Sequence, residues 1–275
     1  MRKNSFLSKI AFAVFFVIAV INVYPLIFSI LCSFKSNLEI FQSFTAWPTQ
    51  FRFQSYVTAW GVGNIGRYFL NTIILAACTI ALTAFVGALA AYILSKFSFQ
   101  LRSVVYIFFI AGMMVPIQAV LIPLSYFFGK FNLMNSYISM ILLYTAFCLP
   151  MTILILNGFI KSIPNELEEA MIMDGANTFQ VFTKAILPLS SPGIISASIF
   201  NFIQVWNNLL FPLIFLTDKS KGTISMGLLN FFGEYSTNYS ASMAGISLTT
   251  IPVIIVYILF QNKIENGLIS GAIKG

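Results

Sequence analysis

Four carboxylates, Glu166, Glu168, Glu169 and Asp174, crowd into one short stretch, NELEEAMIMDGANTFQVFTKAILPLSSP, residues 165 to 192. Clustered acids can serve proton transfer or ionic docking. Catalysis finds little else to work with. The chain contains no His, and no H-E-x-x-H or G-x-S-x-G pattern occurs. A nucleotide-binding G-x-x-x-x-G-K-[ST] is also missing, since FFGKFN around Lys130 lacks both the first glycine and the Ser/Thr. Cys32, Cys78 and Cys148 each lie inside an apolar run and read as free, lipid- or core-facing thiols. Docking is the chemistry these carboxylates have left.

The elements that must position them come from composition. With 59% hydrophobic and 8% charged residues and a mean hydropathy of +0.90, 275 residues cannot cover a soluble surface. The expected fold is all-α, a polytopic integral membrane protein. Six uncharged runs reach the roughly 20 residues that cross a 30 Å hydrocarbon core. They are Ile10 to Phe34, Tyr68 to Leu94, Val104 to Phe128, Tyr137 to Ile160, Pro192 to Leu216 and Tyr239 to Gln261. The first carries Asn22 and Pro25 and lacks a small-x-small cleavage site, so a retained helix is expected rather than a signal peptide. Continuous apolar runs without ten-residue alternation disfavour a β-barrel.

Six spans put both termini on one side. Arg2, Lys3, Lys9, Lys96, Arg102, Lys161, Lys184, Lys263 and Lys274 fall on that side; Lys35, Arg52, Arg67, Lys130, Lys219 and Lys221 fall on the other. The bias places both termini, and residues 161–191, in the cytoplasm. A formal charge of +7 distributed singly between apolar runs marks membrane boundaries rather than a nucleic-acid patch. The expected layout is a cytoplasmic N-terminus 1–9, a first span 10–34, an extracytoplasmic loop 35–67, a five-helix core 68–262 and a cytoplasmic tail 263–275. The 35–67 loop, rich in aromatics around Trp47-Pro48, reads as an interfacial lid or packing element.

Helix texture adds detail. Ala77, Ala81, Ala84, Ala88 and Ala91 recur at three- and four-residue steps beside Gly87, a smooth face for close helix contact. Pro25, Pro116, Pro123, Pro150, Pro212 and Pro252 sit inside spans, where each tends to kink the helix. No acid or base lies mid-span, which argues against ion-coupled transport and for a neutral solute. Polar uncharged residues able to face a pathway are Asn71, Gln118, Asn201, Gln204, Asn207 and Asn208, with Trp206 able to stack on a sugar ring. Interhelical hydrogen bonding uses the same residue types.

The acidic stretch itself must lie outside lipid. Lys161, the four carboxylates and Lys184 would each cost roughly 2.5–3.5 kcal/mol at a bilayer centre. Pro164 and the glutamates suit a helix N-terminus, and Asp174-Gly175 breaks the helix through glycine's left-handed conformation. Asn177 or Thr178 can cap a second short helix, which Pro188 is expected to stop. From the residues alone this is a docking knob or an amphipathic connector on the membrane surface. Its carboxylate-rich polar face favours docking, because interfacial helices carry Lys and Arg there.

EEAMIMDGANTFQVFTKAILPLSSP resembles the EAA loop of the membrane subunits of bacterial ABC importers, whose pattern is E-A-A, three residues, G, nine residues, I-x-L-P. Glu169, Ala170, Gly175, Leu187 and Pro188 fall in register, while Met171 stands for the third motif residue and Ala185 for the isoleucine. WNNLLFPLIFL from Trp206 and the ending QNKIENGLISGAIKG are similar to the carbohydrate permeases of the maltose-transporter, MalG-like type. The resemblance implies a type I ABC importer permease fold with six transmembrane helices in the bacterial cell membrane. It implies a non-enzymatic sugar-transport subunit, with ATP and Mg bound by a partner ATPase and no cofactor on this chain. Implied partners are a second permease subunit, a cytoplasmic ATPase dimer, an extracytoplasmic sugar-binding protein and membrane lipid, with no nucleic acid.

Site roles follow from the same resemblance. Glu169, Ala170, Asp174, Gly175, Leu187 and Pro188 form the ATPase-coupling loop, and the tail from Gly267 to Gly275 either reaches toward the ATPase or is a disordered end. From side-chain chemistry rather than the resemblance, Gln118, Gln204, Trp206, Asn207 and Asn208 are the candidate substrate-pathway residues, and the resemblance implies that much of the sugar contact falls to the partner permease. Rival readings are an ABC permease for a non-sugar solute, a self-sufficient secondary carrier and a non-transport scaffold. The carrier reading lacks two matching six-helix halves.

Overall fold

The computed structural model describes residues 5–61, 64–231 and 238–272, with side chains over 8–61, 64–231 and 238–261. Arg2, Lys3 and Lys274 lie outside the described residues, as does the tail after Ala272. Fourteen α-helices follow one another among the described residues: α1 (Ser5–Ser33), α2 (Asn37–Gln42), α3 (Gln54–Trp60), α4 (Ile65–Lys96), α5 (Arg102–Ala111), α6 (Ile117–Lys130), α7 (Tyr137–Lys161), α8 (Asn165–Met173), α9 (Thr178–Val181), α10 (Leu187–Leu189), α11 (Ser191–Asn207), α12 (Leu210–Phe215), α13 (Ile224–Leu229) and α14 (Tyr239–Ala272). Two compact units contain them, residues 1–67 with 227–252, and 68–226 with 253–275.

Four helical segments are long and apolar enough to cross a membrane: Ser8–Ser33, Ile65–Lys96, Tyr137–Lys161 and Tyr239–Gln261. The expected third span is broken, with Arg102–Met114 and Ile117–Lys130 meeting at 97°. The expected fifth span, Pro192 to Leu216, begins in a second bent pair, in which Thr178–Leu189, from the expected cytoplasmic loop, meets Ser191–Asn207 at 71°. At the first break Pro116 stands extended (φ −67°, ψ 126°) before α6, because the proline ring and its missing N–H cannot continue the preceding helix. The fifth run also ends early. α11 stops at Asn207, and Asn208 turns out to accept the Phe211 N–H with its side chain (3.0 Å), so α12 is a separate short helix. Pro25, Pro150 and Pro252 are carried inside long helices without such breaks.

In the unit of residues 1–67 and 227–252, Ala59, Ile65, Phe231, Ala241 and Ala244 make a small core. Lys35 is buried there, its ammonium held by the Ser43 and Phe44 carbonyls at 3.0 and 3.1 Å. α2 begins with a capping box. Glu39 N–H donates to Ser36 Oγ (3.2 Å), and Ser36 N–H donates to the Glu39 carboxylate (2.8 Å).

The other unit has two cores. One gathers Leu75, Met140, Tyr144, Val205, Phe211 and Phe215; the second gathers Ala88, Ala91, Tyr92, Leu156, Ile160, Phe182 and Ile186. The α4 seam differs from the alanine stripe. Ala88 and Ala91 are fully buried, but Ala77 and Ala81 are exposed, and Thr72, Thr79, Thr83 and Gly87 fill the buried face instead. Thr72 bonds the preceding turn through its hydroxyl, to Tyr68 O (2.8 Å), whereas the buried Thr79 and Thr83 hydroxyls have no hydrogen-bond partner among the described residues. Gly87 is fixed by contact, since a Cβ there would stand 2.6 Å from Thr152 Cγ2. Thr152 in turn accepts the Asn201 amide at 2.9 Å, joining α7 to α11.

Candidate functional site

Residues 161–191 form a helical elbow between α7 and α11. Pro164 (φ −57°, ψ 139°) redirects the chain, and Glu166 and Glu168 occupy the first turn of α8, where carboxylates favour the helix dipole. α8 closes on a Schellman motif. Ala176 N–H donates to Met171 O and Gly175 N–H to Ile172 O, both 2.9 Å, with Gly175 at φ +86°. A Cβ on Gly175 would meet nothing within 4 Å, so the requirement for glycine is conformational alone. Asn177 then opens α9 through a reciprocal capping box with Gln180, both bonds 2.9 Å.

Pro188 does not stop this second helix. A wider π-helical turn over Phe182–Ile186 precedes it, in which Leu187 N–H reaches back to Phe182 O, and the helix runs on to Leu189. The bend comes at Ser190, whose hydroxyl donates to Ile186 O. Proline fits because its missing N–H falls where the ladder is already re-registered.

The elbow is fastened to the end of α4 by one cluster. Lys96, the last residue of α4, pairs with Glu168 at 3.0 Å and donates to Ile163 O (2.6 Å) and Asn165 Oδ1 (2.7 Å). The second Glu168 oxygen accepts the Tyr92 hydroxyl at 3.0 Å. The Lys96 and Glu168 side chains are 7% and 14% exposed, so little water competes for the pair. Beneath it, the Tyr92 and Phe182 rings meet tilted at 33° with centroids 5.5 Å apart, and Met171, Ala176 and Leu187 pack on the same core.

Glu169, Ala170, Asp174, Gly175 and Pro188 are exposed, and Leu187 is half-buried. Glu168, which the motif register passes over, is therefore the internal strut, and Glu169 faces outward. The elbow also presents Leu167, Ile172, Met173 and Phe179 to the exterior, Met173 at 87% exposure. A solvent-facing tip of this kind on a rigid base can receive a partner but cannot perform bond chemistry. No group of three or more His, Cys, Asp or Glu among the described residues could hold a metal ion.

The candidate pathway residues separate. Gln204 and Asn208 line a cavity of about 180 Å³ together with Gly112, Val115, Tyr144 and Phe147, beside the 97° break. Gln118 and Asn207 are exposed but do not line it. Trp206 corrects the expectation of sugar stacking. It is 2% exposed, packed edge-on to Phe69 (5.5 Å) and stacked with Phe202 (5.2 Å), so its faces are taken by protein. Asn71 and Asn201 are structural as well. Asn71 ties α4 to the Ser220 and Gly222 carbonyls (3.0 and 2.8 Å), and Asn201 bonds Thr152.

Comparison with known proteins agrees with this geometry. Residues 83–270 match the family described as binding-protein-dependent transport system inner membrane component. A curated relative, the diacetylchitobiose uptake system permease protein NgcG of Streptomyces coelicolor, is 34% identical and is covered over 97% of this chain and 89% of its own. The probable starch degradation products transport system permease protein AmyC of Thermoanaerobacterium thermosulfurigenes is 29% identical over 94% of each chain. Among solved structures, a chain of a bacterial ABC transporter involved in import of the acidic polysaccharide alginate superimposes with a TM-score of 0.84 at 22% identity, covering 95% of this chain and 98% of that one. That likeness bears on the fold.

Proposed function

The chain belongs to the family of binding-protein-dependent transport system inner membrane components, and from that premise we propose that it is one half of the translocation pathway of an ATP-driven importer for a mono- or oligosaccharide. Sugar is favoured because relatives over nearly the full length are permeases for diacetylchitobiose and starch degradation products. An uncharged cavity carrying Gln204 and Asn208 is compatible with a neutral, hydroxyl-rich solute. A second permease completes the pathway, an extracytoplasmic binding protein delivers the sugar, and both termini face the cytoplasm with the elbow. ATP and Mg reside on an ATPase dimer.

One observation carries the coupling role: an exposed apolar tip sits on a base locked to a membrane span by the Lys96–Glu168 pair. In this reading Leu167, Ala170, Ile172, Met173 and Phe179 seat in a cleft of the ATPase, with Glu169 and Asp174 at its charged rim. Gly175 sets the angle between the two short helices. Leu187 and Pro188 hand displacement to α11 through the bend at Ser190. Closure of the ATPase dimer pushes the elbow, and the strut passes the push to α4.

Purification in mild detergent tests this directly. Met173→Asp with Phe179→Asp is expected to release co-purified ATPase and abolish sugar-stimulated ATP hydrolysis in reconstituted vesicles, with helicity unchanged. Full retention of both in the double variant would sink the coupling role. A panel of sugars on the wild-type vesicles then tests the substrate, and stimulation by a charged or non-sugar solute alone would replace that part of the proposal.

A further inference from the structure

At the membrane end of α5 and α7 the chain builds a groove of about 370 Å³ that none of the transport roles above uses. Its lining includes Arg102, Ser103, Tyr106, Ile107, Asn157 and Lys161, without a carboxylate among its members. Arg102 spends Nε and one terminal nitrogen on the Leu94 and Ser95 carbonyls, at 2.7 and 3.1 Å, which keeps its charge at the groove without neutralising it. The Lys161 ammonium lies 5.9 Å from the centre of the Tyr106 ring. Two cations thus face one cleft with no anion.

Three further observations point to what is missing. α5 begins at Arg102 with no side-chain cap and no acid in its first turn, so although the Arg102 N–H donates to Phe99 O (3.1 Å), the positive end of a ten-residue helix meets no countercharge here. Asn157 is 4% exposed, lines the groove, and its Oδ1 has no hydrogen-bond partner among the described residues. A buried amide oxygen without a donor is costly, and a headgroup hydroxyl donating to it would satisfy it. Position settles the level in the bilayer. Arg102 opens one apolar helix and Lys161 closes another, while Ile107, one turn deeper, is 64% exposed. Polar groups at a span boundary above an exposed apolar face match the headgroup-to-acyl boundary of a lipid.

We propose that this groove binds the phosphate of an anionic phospholipid, with Lys161 and Arg102 as cationic partners, the α5 N-terminus and Ser103 as neutral donors, and Asn157 engaging a headgroup hydroxyl. The acyl chains would lie along Ile107. Phosphatidylglycerol carries all of these groups and is the probe to use.

The assembled transporter, purified from detergent into phosphatidylcholine nanodiscs doped with phosphatidylglycerol, is analysed by native mass spectrometry for retained lipid. The wild type is expected to retain phosphatidylglycerol over phosphatidylcholine, and Lys161→Gln to weaken that preference roughly tenfold through loss of one charge-assisted contact. Ser103→Asp is the second variant. Its carboxylate suits a helix N-terminus, so the fold is kept or strengthened, while the phosphate is repelled. Equal retention of the two lipids, or a preference untouched by both variants, overturns the proposal. Millimolar inorganic phosphate separates the sources: if it displaces the lipid completely and binds in pure phosphatidylcholine discs, the site belongs to free phosphate and the lipid assignment falls.

Discussion

The loop after α1 and the elbow after α7 are made from the same parts. Each is tied down by one little-exposed lysine, Lys35 within the first and Lys96 at the end of α4 for the second, and each has a capping box and exposes large apolar side chains. They differ in what the lysine holds. Lys35 donates to carbonyls eight and nine residues along its own loop, whereas Lys96 grips a carbonyl, an amide and a carboxylate 67 to 72 residues away. The apolar faces differ too: Phe41, Phe44, Trp47, Phe51 and Phe53 on the loop after α1, against Leu167, Ile172, Met173 and Phe179 on the elbow. A loop closed on itself can be rigid without transmitting anything. One fastened to a span end passes displacement on, so the wiring of a single cation separates a cap from a lever.

Removing that wiring should have the largest effect. Glu168→Ala leaves Lys96 buried without its carboxylate, and about 2–3 kcal/mol of local stability should be lost, somewhat below the cost for a fully dry pair. Amide exchange over residues 163–176 should accelerate by the corresponding factor, and sugar-stimulated ATP hydrolysis should fall with it. The matched Lys35→Met change should loosen only its own loop. Should Lys35→Met uncouple hydrolysis as severely, the distinction between the loops collapses.

Gly175→Ala comes next, at about 1–2 kcal/mol, because a non-glycine residue must be forced to positive φ even though space is free. Gly175→Asn, which tolerates that region, should recover most of the loss in the same exchange measurement. The two capping boxes then sharpen the comparison at equal energy. Asn177→Ala and Ser36→Ala should each cost about 1 kcal/mol; only the former should lower the ratio of transported sugar to hydrolysed ATP.

The smallest effect is acid sensitivity of the loop after α1. The Ser36 backbone N–H, followed by the Thr49 hydroxyl, holds the Glu39 carboxyl down at about 2, against 4.5 ordinarily. A depressed folded value means that the contribution is complete above 4.5 and fades as pH falls toward 2. Proteolytic nicking of the loop after α1 should therefore rise modestly over that window, and Glu39→Gln should flatten the dependence.

Local chemistry made much of this legible in the sequence. Asp174-Gly175 announces a helix end and Asn177 a helix start, because both depend on residues within a few positions. Apolar run lengths located the four unbroken helices long enough to cross a membrane. Bend angles were not legible: Pro116 and Pro188 are both prolines in apolar surroundings, yet one stands at a 97° break and the other is carried through by a π-helical turn. Nor could neighbouring glutamates be told apart, since Glu168 is chosen as strut by Tyr92 and Lys96, more than 70 residues upstream. Trp206 was misplaced for a related reason. An aromatic beside two asparagines resembles a sugar platform until Phe69 and Phe202 occupy its faces.

The Lys96–Glu168 strut also limits how this chain can be recombined. A graft of residues 161–191 into another permease would carry the carboxylate and leave behind the lysine and tyrosine that receive it. Such chimaeras should couple only when positions 92 and 96 travel with the graft. The elbow is contiguous as a stretch of sequence, but its smallest exchangeable module is two separate pieces of chain.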